Sequence, residues 1–155
     1  MKKSQIGVEL FLVLSVLAAF IVILYGTASQ EISKTKALND AIISKGAVDS
    51  LAQMIDFAFL SGSGTVLSKE LLVSQNSNCF YHTDLPLNKI YCTVSSEQLV
   101  ELVGAGKERV FSQNLTAPSN AVKLGVVGEM CAPLTGGWVN VKVANEGGSV
   151  VVSCV

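Results

Sequence analysis

The chain has 155 residues, half of them hydrophobic, and a formal net charge of −1 from 11 basic and 12 acidic side chains. That is length for one small domain plus an anchor. With no basic patch and no interleaved aromatics, the electrostatic footprint of a nucleic-acid binder is absent, so no nucleic-acid partner is expected.

The hydrophobic residues are concentrated at the N-terminus. Lys2 and Lys3 open the chain, and no residue from 10 to 30 carries a charge. A run of about 20 apolar residues matches a hydrocarbon core of roughly 30 Å. The lysines hold the short N-terminus on the cytoplasmic side, which leaves the rest of the chain outside. Glu9 stands just inside the run, where a charge is costly and marks function. The plainer alternative is a secretory signal peptide cut after Ala28, at the small-x-small site Gly26-Thr27-Ala28. It fits less well. The apolar part exceeds the usual core of roughly 7–15 residues, Glu9 interrupts its start, and helical patterning continues beyond the cut.

One long helix is expected over residues 5–60, with an apolar part (5–28) and an amphipathic part (29–60). In the second part Leu38, Ala41, Ile42, Val48, Leu51, Ala52, Ile55 and Phe59 recur at three- and four-residue steps, while Asn39, Asp40, Asp49, Gln53 and Asp56 take the opposite face. No proline precedes Pro86. Gly26 and Gly46 each weaken the helix by about 1 kcal/mol relative to alanine, and a local bend is expected at Gly26. Ser61-Gly62-Ser63-Gly64 supplies the stop.

Residues 61–155 read as a β-rich head. Strands are expected at 66–73, 110–111 and 122–127, and a hairpin at 79–82 and 90–94 around a turn containing Pro86. Ser95 and Gln98 suggest a capping box for a short helix over 97–103, stopped by Gly104. The clearest signal is the alternation Trp138-Val139-Asn140-Val141-Lys142-Val143, the turn Asn145-Glu146-Gly147-Gly148, and the return at 150–154. Together these give an α+β fold: a long N-terminal hydrophobic and amphipathic helix packed on a small antiparallel sheet, with the amphipathic face as the lid that so small a head needs.

Four cysteines, Cys79, Cys92, Cys131 and Cys154, follow the export signal and read as disulfides. They allow three pairings; Cys79–Cys92 and Cys131–Cys154 are favoured because each pair brackets a hairpin. Their spacing is too wide for a zinc knuckle. Catalytic signals are thin. His82 is the one histidine, Glu97 and Glu101 read as a solvated helix face, and no phosphate or Ca²⁺ loop is present. No enzymatic activity, cofactor or metal is expected. Asn114-Leu115-Thr116 is an N-glycosylation sequon, which an exported chain could use.

The N-terminal segment Lys3-Ser4-Gln5-Ile6-Gly7-Val8-Glu9-Leu10 resembles the class III signal peptide of archaeal type IV-like pilins. The resemblance covers roughly the first 30 residues. It implies cleavage by a prepilin peptidase between Ser4 and Gln5, residues 1–4 being the leader, and it makes Glu9 the fifth mature residue, where such pilins carry a glutamate. Ser4 stands where the family often has glycine. A ladle-shaped subunit is then expected. It is inserted in the membrane first and then assembled into an extracellular homo-oligomeric pilus that serves adhesion, with Gln5 and Glu9 acting in assembly. A minor pseudopilin, a monomeric anchored binding module and a secreted disulfide protein are the alternatives.

Overall fold

The computed structural model describes residues 2–75, 77–83, 88–95, 108–124 and 137–154. The proline-free N-terminal region forms one helix, α1 (Lys2–Ser61). It is continuous through Gly26, where the sequence suggested a bend, and through Gly46; a Cβ at either glycine would meet nothing within 4 Å. The chain divides by contact into Met1–Lys36 and Ala37–Val155, so the last part of α1 belongs with the head.

Among the described residues the head carries two sheets. The first has the order β1-β6-β7-β5, built from β1 (Val66–Val73), β6 (Gly137–Glu146), β7 (Ser149–Cys154) and β5 (Val122–Leu124). β6 and β7 form the expected hairpin, and β1 runs antiparallel to β6 from Val66↔Ala144 to Val73↔Gly137. The hairpin loop is Gly147-Gly148, with φ of 63° and 90°, the positive values that a tight primed turn demands. Asn145 and Glu146, read as turn residues in the sequence, are instead the last residues of β6. β5 pairs parallel to β7 and is the one parallel strand among the described residues. The second sheet, order β2-β3-β4, joins β2 (Ser77–Thr83), β3 (Lys89–Ser95) and β4 (Glu108–Asn114) in antiparallel pairing. A 3₁₀ turn at Ser119–Ala121 precedes β5.

Alternation decides which face of each strand is buried. Val139, Val141 and Val143 of β6 and Val150 and Val152 of β7 point inward, while Trp138, Asn140 and Lys142 point to solvent. Their apolar partners on α1 are Ala47, Val48, Leu51, Ala52, Met54, Ile55 and Ala58. A second, smaller cluster joins Ala37 and Ala41 of α1 to Val94 and Phe111. This is the helix-on-sheet α+β layout anticipated from the sequence.

The buried arc of α1 differs from the periodicity reading in one respect. Leu38 and Ile42 are 54% and 63% exposed, whereas Ala37, Ala41, Ser44 and Ala47 are buried. The small residues of this part of the helix pack against the strands, and the two larger side chains fall outside the contact. Ser44 Oγ is fully buried there with no hydrogen-bond partner among the described residues. An unsatisfied buried hydroxyl costs about 1–3 kcal/mol, and alanine is the better helix former. Ser44→Ala is therefore expected to raise the stability of the head by about 1 kcal/mol in urea denaturation. A loss of stability would mean that the hydroxyl has a partner in solution.

Strict alternation also fails at β2, where adjacent Cys79 and Phe80 are both buried, at 2% and 1% exposure. A register shift between Asn78 and Tyr81 makes this so, with Phe80 at φ 67°. A bulky residue in the left-handed region is strained, and burial of its ring is what offsets the strain. Residues 84–87 of the turn expected at 84–88, the helix over 97–103 with Glu97 and Glu101, and the last residues of the strand expected at 122–127 lie outside the described residues.

Candidate functional site

The N-terminal segment of α1 is the first candidate. Ser4 and Gln5 lie in its opening turns, and Glu9 is four residues beyond Gln5. Residues four apart share a helix face, with a rise of about 6 Å between them. Glu9 is exposed, as is every residue from 8 to 32, including Phe11, Phe20, Ile21 and Tyr25. The helix is long and apolar enough to cross a membrane. Three hydroxyls in this stretch are satisfied within it. Ser15 Oγ donates to Leu12 O at 2.8 Å, Thr27 Oγ1 to Leu24 O at 3.0 Å, and Ser29 Oγ to Gly26 O at 2.9 Å. Such bonds remove the penalty that a bare hydroxyl would incur in hydrocarbon. The first ion pair after the uncharged stretch is Glu31–Lys34, at 3.5 Å.

The head supplies the remaining features. Cys79 and Cys92 form the expected disulfide between β2 and β3. Cys154 is disulfide-bonded too; Cys131, its expected partner, lies outside the described residues. The bond fits an oxidising compartment. Asn114 is exposed at the end of β4. The backbone of His82 lies in β2. Among the described residues no group of three His, Cys, Asp or Glu is placed to hold a metal ion. Gln75, Ser77, Asn78 and Ser95 line a shallow polar depression.

Two polar residues do structural work that the sequence did not reveal. Asp56, read as part of the solvated face, is half-buried and accepts the backbone N–H groups of Thr116 and Ala117 on Oδ1, at 2.8 and 3.0 Å. Asn145 is 3% exposed and joins three segments. Its Nδ2 donates to Ala58 O at 2.9 Å, its Oδ1 accepts from Gly148 N at 3.0 Å, and its backbone bonds Gly64 N and Thr65 O. The one sequence cue was its place beside Gly147-Gly148.

Comparison with family models, curated proteins and solved structures returns no match. The fold is compatible with a pilin-like subunit, and the family resemblance rests on the N-terminal residues.

Proposed function

We propose that this chain is the structural, non-catalytic subunit of an extracellular type IV-like pilus of the archaeal kind. A prepilin peptidase removes residues 1–4, and the mature subunits leave the membrane to pack their N-terminal helices into a filament core, the heads forming an adhesive outer surface. The observation that carries this reading is the combination of Glu9 with an uncharged apolar stretch exposed along its length, residues 10–30 of α1. Such a surface requires lipid or further copies of itself around it. Between helices in lipid the hydrophobic drive is absent and close packing decides; Gly7, Ala18, Ala19 and Gly26 are small enough to allow it. Continuity of α1 past Ala28 favours retention of the helix over a secretory cut.

Mass analysis of the N-terminal peptide from the native host tests the proposal. A mature start at Gln5 is expected. A start at Met1 would leave a monomeric anchored module, and one near Ser29 would remove the filament helix altogether.

A further inference from the structure

Asn114-Leu115-Thr116 is the one N-x-Ser/Thr sequence in the chain. In the head it alternates, with Asn114 and Thr116 exposed and Leu115 and then Ala117 buried. Its backbone is tied at every residue. Asn114 pairs with Lys89 at the end of the β3–β4 ladder. Leu115 N donates to Asn88 O at 3.0 Å, and Asn88 Nδ2 donates back to the carbonyls of Leu115 and Ala117. Asp56 of α1 then holds the N–H groups of Thr116 and Ala117. The sequon is thus closed between a strand partner, a loop amide and a helix carboxylate.

An N-glycosyltransferase has to surround the asparagine amide and reach the hydroxyl two residues on, and so must draw the segment away from the surface. Doing that here breaks the Asp56 and Asn88 hydrogen bonds and exposes Leu115 and Ala117 together. We infer that Asn114 is an N-glycan acceptor before the head folds and ceases to be one once Asp56 and Asn88 have closed on the sequon. In the transfer, the Asn114 amide nitrogen bonds to the anomeric carbon of a glycosyl polyprenyl phosphate or diphosphate. The bond from that carbon to the phosphate oxygen breaks, the lipid phosphate leaves with the electron pair, and the amide proton passes to a base of the transferase. No redox change is involved. Because the Asn114 side chain faces solvent, a glycan placed early is carried outward when the sequon closes, without disturbing the core. The inference rests on export of the chain and not on its joining a filament.

The test uses host membranes as the source of transferase and lipid-linked sugar, and the full chain as acceptor. One sample is native with disulfides intact, and the other is urea-unfolded, reduced and alkylated. The mass of the Asn114 peptide is the readout. The unfolded chain is expected to be modified and the native chain roughly a hundredfold more slowly, because opening must precede transfer. Native Asp56→Ala and Asn88→Ala, checked for folding by circular dichroism, are expected to gain modification. Equal rates for native and unfolded wild type would overturn the inference, and so would an unfolded chain left unmodified. The wild-type comparison stands even if neither variant folds. The N-terminal peptide in the same spectra reports the filament reading independently.

Discussion

Glu9→Ala is expected to be exported, trimmed at Gln5 and held in the membrane at normal abundance, yet to leave few filaments. The argument begins with trimming. In the proposed maturation, cleavage between Ser4 and Gln5 would create an α-amino group that is positively charged in water. In a core made of packed apolar helices, both that ammonium and the Glu9 carboxylate lose their solvent. An uncompensated buried charge costs about 3–5 kcal/mol. Paired, the two groups largely offset each other's desolvation, and a subunit in the wrong axial register leaves both without a partner. In the proposed filament the pair therefore selects register more than it adds cohesion, the cohesion coming from close packing of the apolar helices. Alanine at position 9 leaves the ammonium alone in the core, and the penalty corresponds to a loss of roughly a hundredfold or more in each subunit addition. Glu9→Gln is expected to behave the same way, since it keeps the shape and removes the charge. Filament counts by electron microscopy, set against membrane abundance and the N-terminal peptide of the same cells, give the answer. Normal filament numbers with correct trimming would remove the pairing argument.

What could be read from the residues, and what could not, follows from how local each signal is. The helix and the C-terminal hairpin were legible because both are local patterns. A proline-free stretch with apolar spacing gives α1, and alternation around Gly147-Gly148 gives β6 and β7. The strand at 66–73 was also legible from its own residues. The extent of β4 was not. Only Val110 and Phe111 are apolar in Glu108–Asn114, and the strand forms because β3 offers a ladder partner along its length. The placement of Leu38 and Ile42 outside the core has the same cause, since a 3.6-residue period marks a face but not how near the strands come to it. Buried polar contacts were the least legible of all. Asp56 and Asn145 look like ordinary polar residues until segments 60 and 87 positions away are brought against them. Ser4, Gln5 and Glu9, which carry the pilin resemblance, lie by contrast within a few positions of one another, so that pattern is short-range and needs no tertiary information to be read.

Asn145 carries the largest stability effect expected in the head. The last carbonyls of α1 have no partner within the helix, and Asn145 Nδ2 reaches Ala58 O at 2.9 Å and, at longer range, Phe59 O. The same side chain accepts from Gly148 N and so also sets the β6–β7 turn. Gly62 and Gly64, at φ 87° and 90°, carry the chain out of the helix so that Gly64 N can meet Asn145 O. One buried amide thus fixes the end of α1, the entry to β1 and the hairpin turn in a single arrangement. Asn145→Ala orphans a buried carbonyl, at about 1–3 kcal/mol, and removes the acceptor that holds the Gly148 N–H and the turn. A loss near 3 kcal/mol is expected, lowering the melting temperature by about 15 °C for a head of this size. Asn145→Asp is expected to be worse despite its shape. It turns the donor into an acceptor facing carbonyl oxygens and adds negative charge at the negative end of the helix dipole. Asn140→Ala is the control. It lies on the exposed face of the same strand, bonded to Ser68 Oγ at 2.8 Å, and should change stability by no more than about 0.5 kcal/mol. Near-ultraviolet circular dichroism of the full chain in mild detergent follows the tertiary packing of the head through each melt. Asn145→Ala melting within a degree or two of Asn140→Ala would show that the helix end and the hairpin turn hold without this amide.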